Sequence, residues 1–171
     1  MKNHVVLLLG SNLGERTVHL EKARLEIAQH IGQINKISAL YETEPWGVEE
    51  QEKYLNQVLL VESELSPEEV LEEVLRIEQI GGRVRQEKWG ARLIDIDILF
   101  YSDRIVEQDG LKIPHPYLHV RRFTLAPLVE ILPDWLHPKL KQTVATLYAQ
   151  LDDPLKVEVF KPESVQRYNT P

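Results

Sequence analysis

Four short apolar runs alternate with two capped, helix-periodic segments in the order strand–helix–strand–strand–helix–strand, and this order predicts an α/β (α+β) fold. The pattern is the split βαβ arrangement of a ferredoxin-like sandwich: a four-stranded antiparallel core sheet with helices packed on one face. A small hairpin and a C-terminal helix are expected to follow it.

Val5 to Leu9 is the first run, rich in β-branched residues and bounded by Gly10-Ser11-Asn12-Leu13-Gly14, and predicts a buried strand ending in a turn. Asn12 with Glu15 reads as an N-cap pair. Leu20, Ala23, Ile27, Ala28 and Ile31 then recur at helical spacing, and Gly32 supplies the stop. Ile34, Ile37 and Tyr41 predict one second strand. A loop from about residue 42 to 53 follows, and Gln57 to Leu65 predicts the third strand.

Ser66-Pro67-Glu68-Glu69 is a strong helix start: Ser66 caps, Pro67 takes the first helical position and Glu69 closes a capping box. Val70, Leu71, Val74, Leu75 and Ile77 form its apolar face, and Gly81-Gly82 ends it. Leu93 to Tyr101 predicts the fourth strand. Asp109-Gly110, flanked by short apolar pairs, signals the hairpin. Thr124 to Leu132 and Pro138 to Leu151 read as helices, and Val157 to Phe160 as an added edge strand. The 171 residues fit one domain, set at 1–161, with a polar tail at 162–171.

A net charge of −7 disfavours nucleic-acid binding through phosphate neutralisation. The absence of cysteine excludes disulfides, thiolate nucleophiles and zinc–sulfur sites. The opening apolar run is too short for a signal-peptide core or a membrane span. A cytoplasmic protein without nucleic-acid or membrane partners is expected.

Asp95-Ile96-Asp97 is the most informative segment. Strand residues two apart share a face, about 6.6 Å apart along the chain. Two carboxylates placed so can hold a hard cation such as Mg²⁺, which fills its other positions with water and substrate phosphates. A bare Asp-x-Asp pair is a weak signal, and taken alone it reads more readily as the solvated face of an edge strand. The loop before it shifts the balance: Arg83, Arg85, Lys88 and Arg92 lie within ten residues and feed directly into the pair. Arginine binds phosphate bidentately and stays charged. Carboxylates for metal beside arginines for developing charge are the parts of metal-assisted phosphoryl transfer.

No Walker-type ending follows the first glycine turn, and no Gly-x-Gly-x-x-Gly follows a strand. His115, between Pro114 and Pro116, is either a turn residue or a fixed imidazole near an anion. Trp46, Tyr54 and Phe123 either pack locally or stack a flat heterocycle, and Asn56 is either a turn residue or an amide for that heterocycle's edge. These residues leave open another Mg²⁺-dependent phosphotransferase, or a non-enzymatic ligand-binding module of the same fold.

Seven segments in order then resemble the 6-hydroxymethyl-7,8-dihydropterin pyrophosphokinase family. They are Tyr41-Glu42-Thr43-Glu44-Pro45-Trp46-Gly47, Tyr54-Leu55-Asn56, Arg76-Ile77-Glu78, Gly82-Arg83-Val84-Arg85, Trp89-Gly90-x-Arg92, Asp95-x-Asp97, and Pro114-His115-Pro116 with Arg121-x-Phe123. The resemblance implies pyrophosphoryl transfer from ATP to the pterin hydroxymethyl group, with release of AMP, in folate biosynthesis. It implies two Mg²⁺ ions on Asp95 and Asp97, and Arg83 and Arg92 on the transferring charge. Glu78, Arg85, Trp89, Ile98, His115 and Arg121 are then expected on ATP. Thr43, Trp46, Tyr54, Asn56 and Phe123 are expected on the pterin. Loops 42–53 and 82–93 are expected to close over the ligands. The implied partners are these small molecules, and the implied state is a monomer. Leu75 stands where some relatives place a Gln on ATP, so that contact is absent here.

Overall fold

The computed structural model describes residues 2–44, 52–81 and 93–161. The first long strand, β1 (Asn3–Ser11), is central, and Val5, Val6, Leu7 and Leu9 on it are fully buried. Each such side chain contributes about 1.5–3 kcal/mol on leaving water. Helix α1 (Arg16–His30) follows, with Leu20, Ala23 and Ile27 inward. The expected Asn12–Glu15 cap does not form. Glu15 is the N-cap residue and makes no side-chain cap bond, while Asn12 is buried. Gly32 ends the helix for a packing reason as well: a Cβ there would lie 2.0 Å from the Glu62 carbonyl oxygen.

The single second strand expected from Ile34 to Tyr41 is divided into β2 (Gln33–Ile37) and β3 (Tyr41–Thr43). Both pair antiparallel with β4 (Tyr54–Ser63), β2 with its second half and β3 with its first. Between them Ser38 is bound to β4, its N–H donating to the Val58 carbonyl at 2.9 Å, its Oγ accepting from Val58 N at 2.9 Å and its carbonyl accepting from Gln57 Nε2 at 2.8 Å. Within β2 the register with β4 shifts between Ile34 and Lys36.

Helix α2 (Pro67–Ile80) has the predicted capping box. Glu69 N donates to Ser66 Oγ at 3.1 Å, and Ser66 N to Glu69 Oε1 at 3.0 Å. Strand β5 (Asp95–Tyr101) pairs with the free side of β1. The four strands β5-β1-β4-β2 are the antiparallel ferredoxin-like core, and β3 and β8 (Val157–Val159) extend the sheet past the first half of β4. A separate hairpin joins β6 (Val106–Gln108) and β7 (Leu111–Ile113).

Helices cover both faces of the sheet, where one covered face was expected. α1 and α2 bury Val5, Leu7, Leu9, Leu55, Ile96 and Ile98 in one core. Helices α3 (Arg122–Ile131) and α4 (Val144–Ala149) bury Val6, Leu8, Val58, Leu60 and Phe100 in another. Strands buried on both faces read as continuous apolar runs, as in Val5 to Leu9. The helix expected from Pro138 is shortened to α4. His137 Nδ1 accepts from the backbone N–H of Lys139 and Leu140, Lys141 takes a positive φ, and Thr143 caps the helix that does form.

Candidate active site

The sheet sets one row of residues in register. Gly10 pairs with Asp95 on one side and with Asn56 on the other, and Asn56 pairs with Tyr41. Cross-strand partners point to the same face. Asp97 pairs with Leu8, and Thr43 with Tyr54, so these flank the row on that face. It is the face toward α3, whereas Ile96 and Ile98 point into the α1–α2 core. The period-two spacing therefore brings both aspartates to one side of β5.

A cavity of about 590 Å³ opens over this row. From the sheet it is lined by Leu8, Gly10, Thr43, Tyr54, Asn56, Asp95 and Asp97, with Glu44 just beyond β3. Val120, Arg121 and Phe123 form a wall at the start of α3, and Asp153 and Leu155 complete it. Such a volume suits a small organic ligand.

The polar groups are held from outside the cavity. Asn56 is buried, and its Nδ2 donates to the Leu9 carbonyl at 3.2 Å, which fixes the amide plane. Thr43 is 3% exposed, and its Oγ1 has no hydrogen-bond partner among the described residues. A buried hydroxyl without a partner is costly, and a ligand in the cavity would relieve it. The Arg121 guanidinium lies 5.0 Å from the Tyr117 ring centroid and 5.5 Å from that of Phe123. This double cation–π contact presents a fixed positive charge at the cavity wall. His115 donates its backbone N–H to the Leu99 carbonyl at 3.0 Å, and its Nδ1 accepts from Tyr117 N at 3.1 Å. Burial lowers its pKa below the ordinary histidine value, and the Arg121 charge adds to this while Asp97 opposes it.

α3 is itself tied to the sheet. Glu130 accepts from Tyr41 Oη at 2.6 Å and from Ala39 N at 3.1 Å. Burial, followed by the Glu130 carboxylate, raises the Tyr41 pKa well above the usual phenol value.

Of the expected site residues, Asp95, Asp97, Arg121, Thr43, Tyr54, Asn56 and Phe123 converge on the cavity. Glu78 and Ile98 do not line it. Glu78 is 4% exposed and accepts from Ile96 N at 2.9 Å, bracing β5 from its α2 side. Ile98 belongs to the α1–α2 core. His115 stands near Asp97 and Arg121 but outside the lining. Trp46, Arg83, Arg85, Trp89 and Arg92 lie outside the described residues, as do most of loops 42–53 and 82–93. Sequence reasoning gave no site role to Leu8, Glu44, Val120, Asp153 or Leu155. Apart from Leu155, the other lining residues are far from Asp153 in the sequence, and no local motif marks it.

Residues 6–133 match the family model for 7,8-dihydro-6-hydroxymethylpterin-pyrophosphokinase (HPPK). A 2-amino-4-hydroxy-6-hydroxymethyldihydropteridine pyrophosphokinase of Aquifex aeolicus is 44% identical over 134 residues, covering 78% of this chain and 83% of that one. The protein of the same name from Synechocystis sp. is 41% identical over 148 residues, covering 86% and 75%. In Bacillus subtilis the corresponding figures are 40% over 132 residues, 77% and 79%. Among solved structures, Plasmodium falciparum HPPK-DHPS wild type with pteroate superposes with a TM-score of 0.71 at 19% identity. It covers 88% of this chain, which spans only 42% of that one, and at this identity the likeness speaks for the fold alone. On the match across residues 6–133 and the identities above 40%, the chain belongs to the 7,8-dihydro-6-hydroxymethylpterin-pyrophosphokinase family.

Proposed function

We propose that this chain transfers the pyrophosphoryl group of ATP to the hydroxymethyl group of 6-hydroxymethyl-7,8-dihydropterin, yielding the pterin diphosphate and AMP, as a step of folate biosynthesis. The observation that carries the reading at residue level is the row Asp95–Gly10–Asn56, which sets carboxylates and a fixed amide on one cavity floor beneath Arg121 and Phe123.

The donor chemistry fits Mg²⁺. Two carboxylates share one face at a cavity, and no cluster of three or more metal-ligating side chains occurs among the described residues. A hard cation that keeps several water and phosphate ligands needs no more than one or two carboxylates. Asp95 and Asp97 would hold two such ions, which supply neutralisation of phosphate charge and orientation of the triphosphate.

The chain's own residues do the rest. Asn56 offers its amide oxygen to the donor edge of the pterin, and Thr43 offers its unpartnered hydroxyl. Tyr54 and Phe123 supply ring faces to stack the heterocycle. This seats the hydroxymethyl oxygen toward the aspartates. That oxygen loses its proton to solvent as it bonds to the β-phosphorus, the bond from this phosphorus to the oxygen shared with the α-phosphate breaks, and AMP leaves with that oxygen. Arg121, held between two rings, takes phosphate charge, with His115 beside it. Arg83 and Arg92 are assigned to the charge that develops in transfer, Arg85 and Trp89 to ATP, and Trp46 to the pterin, by their place in the matched motifs. Glu78 acts by bracing β5, and Ile98 by seating it in the core. Among the described residues, no helix is long and apolar enough to cross a membrane.

The test is an assay with ATP, Mg²⁺ and 6-hydroxymethyl-7,8-dihydropterin that identifies the nucleotide product. AMP is expected in equal amount to pterin diphosphate. ADP, or free pyrophosphate without pterin diphosphate, would overturn the reading.

A further inference from the structure

The wall of the cavity is finished by a strap that lies beyond the residues matched by the family model. Residues 151–160 run from the end of α4 to β8, and Asp153 and Leu155 on this strap line the cavity. The strap is fastened at both ends. At one end, β8 pairs with β3, setting Val157 opposite Thr43, and Phe160 N donates to the Leu40 carbonyl at 2.8 Å. At the other, Asp153 grips the start of α3: Arg122 N donates to Asp153 Oδ2 at 2.8 Å, and Arg122 Nε donates to the Asp153 carbonyl at 3.1 Å.

The second contact matters because α3 lacks a cap of its own. Its N-cap residue is Arg121, whose side chain makes no capping bond. The first turn of a helix leaves N–H groups without intrahelical partners. Asp153 satisfies the Arg122 N–H from another part of the chain and sets a negative charge at the positive end of the helix. Its other carboxylate oxygen, Oδ1, accepts from Leu155 N at 3.0 Å, which orients the strap against the same turn. Both oxygens are thus engaged by backbone. The residues on either side of Arg122 are Arg121 and Phe123, which with Val120 face the cavity from this wall.

We infer that Asp153 is a positioning residue for the pterin site: it caps α3 across the chain and so sets where Phe123 stands over the heterocycle. The strap links the Thr43 side of the cavity to the Phe123 side, and Asp153 is its pin. This rests on the pterin reading given above. Small displacements of such a wall are expensive, because a stacking ring misplaced by about 1 Å forfeits much of its contact.

The experiment titrates 6-hydroxymethylpterin into the 171-residue chain with a non-hydrolysable ATP analogue and Mg²⁺, and separately, with ATP and 6-hydroxymethyl-7,8-dihydropterin, measures both KM values by AMP release. Asp153→Ala should weaken pterin binding by about tenfold, the size of one lost charge-assisted hydrogen bond. The loss should fall mainly on the pterin KM and less on that of ATP. Asp153→Asn keeps one acceptor oxygen, which can take the Arg122 N–H while the bond from Leu155 N is lost, and should recover part of the affinity. Val144→Ala removes buried volume from α4 but no strap hydrogen bond, and serves as the stability control. A variant Asp153→Ala with wild-type pterin affinity overturns the inference. So does equal loss in Asp153→Ala and Val144→Ala, or an Asp153→Asn as impaired as Asp153→Ala. If the wild type itself fails to bind the pterin, the functional reading falls together with this inference. If only the Asp153 variants disagree, the functional reading stands.

Discussion

A Cβ atom on Gly10 would lie 2.8 Å from Asn56 Nδ2. The two residues are cross-strand partners, and Asn56 has its amide held by the Leu9 carbonyl. Glycine at position 10 is therefore what allows the Asn56 amide to lie flat on the cavity floor. Gly10→Ala should displace that amide and cost about 1–2 kcal/mol of stability through the strained hydrogen bond. Pterin affinity should fall by about tenfold or more, with ATP affinity much less affected. A fluorescence titration giving wild-type pterin affinity for Gly10→Ala would show that Asn56 does not read the pterin edge.

Asp95 and Asp97 should be needed for turnover and dispensable for folding. Both are only partly buried, at the start of a strand that Ile96, Ile98, Leu99 and Phe100 seat in the two cores. The double variant Asp95→Ala, Asp97→Ala should lose at least about a hundredfold in kcat while keeping its circular dichroism spectrum. In the wild type, ATP with Mg²⁺ should raise the melting temperature more than ATP with EDTA, and the double variant should show no such difference. Turnover at the wild-type rate in the double variant would remove the metal assignment.

The Ser66–Glu69 capping box contributes no residue to the cavity lining and tests the fold alone. Ser66→Ala should cost about 1 kcal/mol. In a chain of this size that lowers the melting temperature by about 2–4 °C. Both KM values should stay as in the wild type. A larger shift accompanied by a changed KM would mean that α2 communicates with the site through Glu78 and β5.

His137 makes the protein sensitive to acid. The ring is buried, edge-on to Phe100 at 5.6 Å, and its Nδ1 accepts two backbone hydrogen bonds that a proton would abolish. Burial, followed by the nearby His119 and Lys139, lowers its pKa to about 4. The unfolded chain takes up this proton near the ordinary value of about 6.5. Between these values the unfolded state binds more protons, so stability is full above pH 6.5 and declines as the pH falls toward 4. His137→Asn offers an acceptor in place of Nδ1 without the titration, and should flatten that decline. Urea unfolding at pH 7, 5.5 and 4.5 measures it, and parallel declines for the wild type and the variant would refute the assignment.

How far the sequence carries depends on the range of the interaction. β1, β4 and β5 are legible because a buried strand needs nothing but a short apolar run and a turn. The start of α2 is legible because its cap is closed within four residues. Asp95 and Asp97 fall on one face by strand periodicity alone, and their neighbours Ile96 and Ile98 fall on the other. The Pro138 helix shows where local pattern misleads: Leu140, Val144, Leu147 and Leu151 keep helical spacing, but His137 bonds to the backbone of the next turn and only the second part becomes helical.

The sequence by itself determined the strand and helix order, the carboxylate pair and the motifs that mark the family, since each depends on neighbours a few residues apart or on side-chain chemistry alone. Only the tertiary structure decided that Gly10 lies between Asp95 and Asn56, that helices cover both faces of the sheet, and that Asp153 closes the wall beside Phe123. Those facts depend on strand register and on closing loops of tens of residues. Their geometry is set by the packing of the whole core rather than by any local pattern.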